Sequence, residues 1–255
     1  MITIKTPEEI EILKEGGRRL GVVLRKMREK VRVGVSTQEL EDYVRKLIHE
    51  GGDTPSFLNY KPRGAKRPFP AAVCVSINDE IVHGIPNEDQ KIIKDGDIVS
   101  LDLGLTHEGM VVDSALTVGV GNVSEEDRKL ILHTEEALAR GIKAARGGAH
   151  IGDIGHAIGS FARSLGYGIS DGLAGHGVGY KVHEDPFVPN QGQKGRGEQI
   201  RPGMVLALEP MLTRGTDQTI LADDGYTYKT ADGSRAAHWE HSIVITDGDP
   251  VVLTK

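Results

Sequence analysis

Residues 101–118, LDLGLTHEGMVVDSALTV, set two acids, Asp102 and Asp113, inside what otherwise reads as two apolar strands folded back on each other. A lone buried carboxylate is costly unless it is paired, hydrogen-bonded or bound to a cation. The stretch therefore predicts a partner for both acids. Positions eleven apart on one strand point to opposite faces, so the two can share a site only if the chain turns between them. Their midpoint falls at His107 and Glu108. A symmetric hairpin centred there would set the acids opposite each other at roughly 5 Å, whereas a bulge at Gly109 would shift that register.

Upstream of this hairpin, Thr6-Pro7-Glu8-Glu9 forms a capping box with proline at the first helical position. Ile10, Leu13, Leu20, Leu24, Met27 and Val31 then recur at helical spacing, so a long amphipathic helix is expected. Ser36-Thr37-Gln38-Glu39 opens a second helix with Leu40, Tyr43, Val44, Leu47 and Ile48 on its face, and Gly51-Gly52 stops it. Residues 53–70 turn to Pro, Gly, Lys and Arg, as in a surface loop. The strand-like run AAVCVSI (71–77) follows, then DIVSLDL (97–103) and MVVDSALTV (110–118).

From residue 124 the same order begins again. Ser124 with Asp127 caps a helix to about 146, a second helix runs from about 151 to 165, and glycine-rich loops lead to MVLALE (204–209) and HSIVIT (241–246). The repeat can be read letter by letter. Val82-His83-Gly84-Ile85-Pro86 matches Val182-His183-Glu184-Asp185-Pro186, and in Gly96–Asp102 and Gly203–Glu209 an acid follows six residues after the glycine. Asp113-Ser114-Ala115-Leu116 matches Glu240-His241-Ser242-Ile243 more loosely. The expected fold class is α+β, a two-layer arrangement in which helix, helix and strands repeat about a pseudo-two-fold axis around a central antiparallel curved sheet. One domain is expected over 1–255, with halves of about 1–122 and 123–255.

Each half would bring a histidine, a strand-end acid and a hairpin-partner acid to the shared interface. Asp102, Asp113, Glu209 and Glu240 would then face one cavity, which like-charge repulsion forbids unless protons or cations neutralise them. Two divalent ions balance four negative charges. His176, within Gly175-His176-Gly177-Val178-Gly179, would be a fifth ligand. An oxygen-rich set with one imidazole and no thiolate suits Mn, Fe, Co or Zn. A bridged pair of such ions activates water and polarises a carbonyl. Taken singly, each acid could instead cap a helix or pair with an arginine.

These residues together resemble the type I methionine aminopeptidases of the pita-bread fold. The resemblance is carried by SINDEIVHGIP (76–86), SLDLGLTHEGMVVDSAL (100–116), GHGVGYKVHEDP (175–186), LALEPML (206–212) and HWEHSIVIT (238–246). It implies that Asp102 holds one metal, that Asp113 and Glu240 bridge both, and that His176 with Glu209 holds the other. It further implies attack of a bridging hydroxide on the first peptide bond of a nascent protein whose second residue is small. Glu209 would carry the proton to the leaving amine, His183 would stabilise the oxyanion or the scissile amide, and His83 would contact the backbone on the leaving side. The methionine pocket would comprise Tyr60, Phe69, Cys74, Val182 and Tyr226. Val182 departs from the family pattern, where an aromatic is frequent, and the basic segment Lys61-Pro62-Arg63-Gly64-Ala65-Lys66-Arg67 looks inserted before the pocket strand. The absence of a zinc-finger extension and of a long helical insertion between His176 and Glu240 resembles the short bacterial type I enzymes.

Two rivals follow from the same text. Gly168-Ile169-Ser170-Asp171-Gly172 matches the G-x-S-x-G nucleophile elbow, although it follows a helical run and leads into more glycines. The pita-bread fold also hosts Xaa-Pro aminopeptidases and prolidases, and non-catalytic relatives that lose ligands. No phosphate-binding loop, H-E-x-x-H helix or haem motif is present.

The chain has 255 residues, 31 Lys+Arg against 37 Asp+Glu and a formal net charge of −6, so its electrostatics argue against DNA as a partner. A single cysteine, Cys74, rules out an internal disulfide framework and fits a reducing compartment. Neither an exported leader nor a membrane span is readable. A cytoplasmic monomer is expected, with N-termini of nascent polypeptides as its partners and the ribosome near the exit tunnel as a further one. The basic 61–67 segment could meet ribosomal RNA or stand as a solvated loop.

Overall fold

The computed structural model describes residues 1–62 and 64–255. Four helices, α1 (Pro7–Lys30), α2 (Thr37–Glu50), α3 (Glu125–Ala144) and α4 (Ile151–Ser164), cover the strands between and after them. The expected caps form: Thr6 and Ser36 each complete a capping box with Glu9 and Glu39, and Ser124 accepts the Asp127 amide. Leu13, Leu20, Leu24 and Met27 are buried on α1, and Leu40, Val44 and Ile48 on α2. With the hairpin strands they form one hydrophobic cluster. A second cluster joins Leu130, Ala137 and Leu138 of α3 with Ile154, Ile158 and Ala162 of α4 and with Leu206, Leu208 and Ile243 of the later strands. Each half therefore has its own helix pair, while the later strands send Val205, Ala207 and Val244 into the first cluster and Leu206, Leu208 and Ile243 into the second.

The hairpin Ile98–His107/Met110–Gly119 is the spine of a four-stranded antiparallel sheet, with Cys74–Ile77 and Thr54–Pro55 paired along the far edge of its first strand. In the second half, Val251–Val252, His241–Val244, Val205–Leu208, Ala174–Gly177 and Glu184–Pro189 form a five-stranded sheet in that order. Two three-stranded sheets complete the layer.

The turn is one residue later than symmetry about Asp102 and Asp113 requires. His107 pairs with Met110, and Glu108 and Gly109 occupy the turn with φ of 45° and 82°. Two successive residues at positive φ make a tight hairpin turn whose twist suits the strands, and the glycine supplies one of them without strain. Asp102 accordingly pairs with Ala115 and Gly104 with Asp113. The acids are diagonal neighbours on one face, not directly opposite as the midpoint implied. They still share a face because the shift moves the pairing sum by two residues.

The halves join where the repeat predicts. Ala115 and Glu240 exchange backbone hydrogen bonds of 3.4 and 2.9 Å. Ser242 Oγ accepts the Asp113 amide at 2.9 Å and donates to the Asp113 carbonyl at 2.8 Å. Exchanging Asp113 with Glu240 and Ala115 with Ser242 maps this contact onto itself, as an axis between Ser114 and His241 requires.

Candidate metal centre

The junction delivers two acids by backbone pairing, since Asp113 and Glu240 lie on the strands that meet there. Asp102 comes from the diagonal position of the hairpin, and Glu209 directly follows the strand Val205–Leu208. His176 lies on the next strand, where it pairs with Ala207. Ligand atoms of Asp113, His176 and Glu240 all lie within 4.8 Å of one another. His176 Nε2 is 3.4 Å from Glu209 Oε1. Its Nδ1 lies 2.9 Å from the Gly177 carbonyl, which can only accept, so that nitrogen carries the proton and Nε2 keeps its lone pair.

All five of these residues, with His83, His183, Tyr60, Phe69, Cys74, Val182 and Tyr226, line one cavity of about 1030 Å³. His183 stands beside His176 with ring centroids 4.4 Å apart, and its Nδ1 lies 2.9 Å from the Tyr60 hydroxyl. His83 has φ 61°, a left-handed backbone uncommon for a residue with a side chain, and Thr227 Oγ1 donates to its carbonyl at 3.3 Å. Phe69 and Tyr226 meet edge to face at 5.2 Å. The Tyr226 hydroxyl donates to the Arg67 carbonyl, and Arg67 forks onto Glu88. Within the basic segment, Lys61 and Lys66 are exposed, and Arg63 lies outside the described residues.

The four carboxylates are buried. Among the described residues no Lys or Arg pairs with them, and Asp102 Oδ1, Asp113 Oδ1 and Glu240 Oε1 find no hydrogen-bond partner. Burial, followed by the charge of neighbouring acids, holds Asp102, Glu209 and Glu240 well above the ordinary carboxylate range, and burial raises Asp113 to about 7. Burial also lowers the histidines, His176 to about 3 and His83 to about 4. Acids that resist ionisation beside imidazoles that resist protonation suit a site that binds cations. Hard oxygens, three of them without a hydrogen-bond partner, with one free imidazole lone pair and no thiolate ligand fit divalent ions.

Two neighbours escaped the sequence reading. His238 is 1% exposed, has its Nε2 3.6 Å from Glu209 Oε2, and is lowered to about 3 by burial. Its signal was present: it stands two residues before Glu240, hence on the same face of an extended segment. Asn190 donates to the Glu209 carbonyl at 3.0 Å, a contact that only the folded chain creates. The serine-elbow reading does not survive, because the chain after Ser170 runs into the strand Ala174–Gly177 where an elbow needs a helix, and buried Ser170 donates its hydroxyl to the Met211 carbonyl at 3.2 Å.

Metallopeptidase family M24 matches residues 11–247. A methionine aminopeptidase of Aquifex aeolicus is 45% identical over 258 residues, spanning 100% of this chain and 99% of its own. The crystal structure of a methionine aminopeptidase from Thermotoga maritima matches with TM-score 0.95 and 40% identity over 100% of both chains. A prolidase from Pyrococcus furiosus shares the fold, with TM-score 0.77 and 24% identity over 99% of this chain and 65% of that one. With the family match running almost end to end and full-length relatives at this identity, the chain belongs to metallopeptidase family M24, among its methionine aminopeptidases.

Proposed function

We propose that this chain removes the initiator methionine from nascent proteins whose second residue is small. The observation that carries the chemistry is the group of four buried, uncompensated carboxylates gathered with His176 in one cavity. Asp102, Asp113, His176, Glu209 and Glu240 would hold two divalent ions, drawn from Co, Mn, Fe or Zn. When bound, such ions supply a water activated at neutral pH and polarise the first carbonyl of the substrate.

The chain's own residues do the rest. Glu209, as a carboxylate, accepts the proton that the attacking water releases and hands it toward the leaving amine. His183 faces the developing oxyanion or the scissile amide, its ring oriented by the Tyr60 hydroxyl. His83 meets the substrate backbone on the leaving side. Asp102 anchors the free α-amine, which restricts the reaction to the first residue. Tyr60, Phe69, Cys74, Val182 and Tyr226 form an apolar, polarisable wall suited to a thioether. We read the chain as one domain, monomeric and cytoplasmic, meeting nascent N-termini and, through the basic 61–67 segment, the ribosome near the exit tunnel. DNA and membranes have no part in this reading. Among the described residues no helix is long and apolar enough to cross a membrane.

The test strips the protein of metal and restores Mn, Co, Fe or Zn singly while Met-Ala-Ser, an Xaa-Pro peptide and N-acetylated Met-Ala-Ser compete. Only free-amine Met-Ala-Ser should be cut well. Preference for the Xaa-Pro peptide would move the chain to proline-specific cleavage, and rapid cleavage of the acetylated peptide would remove the amine anchor.

A further inference from the structure

Lys5 is a buried cation that the chemistry above does not use. It is 4% exposed and crosses behind the loop that joins His176 to His183. Its amide donates to the Gly203 carbonyl at 2.8 Å, and its ammonium donates to Glu184 Oε2 at 2.7 Å and to Thr3 Oγ1. Thr3 Oγ1 in turn donates to the same carboxylate oxygen at 2.6 Å, and Thr3 lines the functional cavity. The second oxygen, Glu184 Oε1, accepts the backbone amides of Tyr180 at 2.5 Å and Lys181 at 3.0 Å. Glu184 therefore closes the turn that ends at His183.

The loop is shaped around this lysine. Gly179 has φ 141°, and a Cβ there would lie 2.4 Å from Lys5 Cε and 3.0 Å from Nζ. The third glycine of Gly175–Gly179 thus leaves a channel for the side chain. A buried ion pair adds little net stability over an apolar replacement, but its directional hydrogen bonds admit few alternative geometries.

We propose that the Lys5–Glu184 pair is a positioning device for the reaction: by holding the Tyr180–Glu184 turn it sets the His183 ring against the scissile bond, without itself touching substrate. This rests on the reading of His183 given above. Lys5→Met and Glu184→Gln, singly and together, are compared with wild type on Met-Ala-Ser with manganese restored. In parallel, long-range 1H–15N spectra of the imidazoles are recorded on metal-free protein, with His183 assigned by its loss in His183→Ala.

Each single variant should lose about tenfold to a hundredfold in kcat, as a misplaced group does, with KM changed far less. The double variant should be no slower than the slower single, because both remove one interaction. The His183 signals should shift or broaden while those of His133 on α3 stay in place. A folded Lys5→Met with wild-type kcat overturns the proposal. So does a kcat loss that tracks only the unfolded fraction in urea with His183 unmoved. Should Lys5→Met fail to fold, Glu184→Gln keeps an oxygen for the Tyr180 and Lys181 amides and decides on the same criteria. Failure of the peptidase reading looks different: His183→Ala would keep the full rate, or wild type would not cut Met-Ala-Ser, while the metal-free spectra would still report on the pair.

Discussion

Glu209 faces two imidazoles, His176 at 3.4 Å and His238 at 3.6 Å, and yet burial and the neighbouring acids hold its carboxyl well above the ordinary range. A group so placed can bind a cation and exchange a proton, and the two roles separate by mutation. Glu209→Gln keeps the volume and one ligand oxygen but cannot shuttle protons. It should lower kcat by about 10²–10⁴-fold, while metal content after gel filtration, read by elemental analysis, falls much less. Asp113→Asn should do the reverse and release metal, since a neutral amide no longer balances cationic charge. The pH dependence of the metal-free protein has a definite sign. The four carboxylates are held above their unfolded values, so the stability they contribute is full below the unfolded carboxylate pKa and is lost as pH rises, for Asp113 through about 7. The histidines run the other way: His83, His176 and His238 contribute above the unfolded imidazole value of about 6.5 and lose it as pH falls toward folded values of about 3 to 4. Above about pH 6.5 the carboxylates of this site carry the change, and the Cys74 thiol, which burial also raises, acts in the same direction. Urea midpoints of chelator-treated protein should therefore fall on going from about pH 6.5 to 8.5, and excess manganese should abolish the fall. A midpoint that rises without metal would show that the acids are compensated within the protein.

The strand junction, Asp113–Ala115 against Glu240–Ser242, is the element that turns two separate hairpins into one site. Ser242 Oγ both accepts the Asp113 amide and donates to its carbonyl, and both residues are buried. Ser242→Ala leaves that amide unpaired and should cost about 1–3 kcal/mol, measured by urea denaturation of the metal-loaded protein. The same change should raise KM for manganese activation, because Asp113 loses its backbone anchor. The hairpin turn teaches a second lesson at this scale. The two acids and the glycine announced a reversal, but Glu108-Gly109 won over His107-Glu108 because glycine takes positive φ readily and histidine does not.

Across the whole molecule the two hydrophobic clusters, one under α1 and α2 and one under α3 and α4, meet at the strand layer in which the site lies. A site built across a joint should unfold with the joint. Trp239 adjoins both clusters and precedes Glu240, so its fluorescence reports the interface, whereas far-UV circular dichroism weighs the helices. The two transitions should coincide in the metal-loaded protein if residues 1–255 act as one domain. Separate midpoints would divide the chain near residue 122.

Much of this was legible in the letters because it depends on local rules and on the repeat. The capping boxes of α1 and α2, the serine cap of α3, the alternation around Asp102 and Asp113, and the spacing from Gly96 to Asp102 and from Gly203 to Glu209 all act within a few residues of themselves. Charge balance then demanded protons or cations among the gathered acids. What only the tertiary structure decided involves residues far apart in the chain: the one-residue register that makes Asp102 and Asp113 diagonal, the approach of His238 and Asn190 to Glu209, and the passage of Lys5 behind Gly179 to reach Glu184. Local sequence specifies backbone conformation and face, but a distance between side chains about 180 positions apart is set by how whole layers pack, and no short-range pattern encodes it.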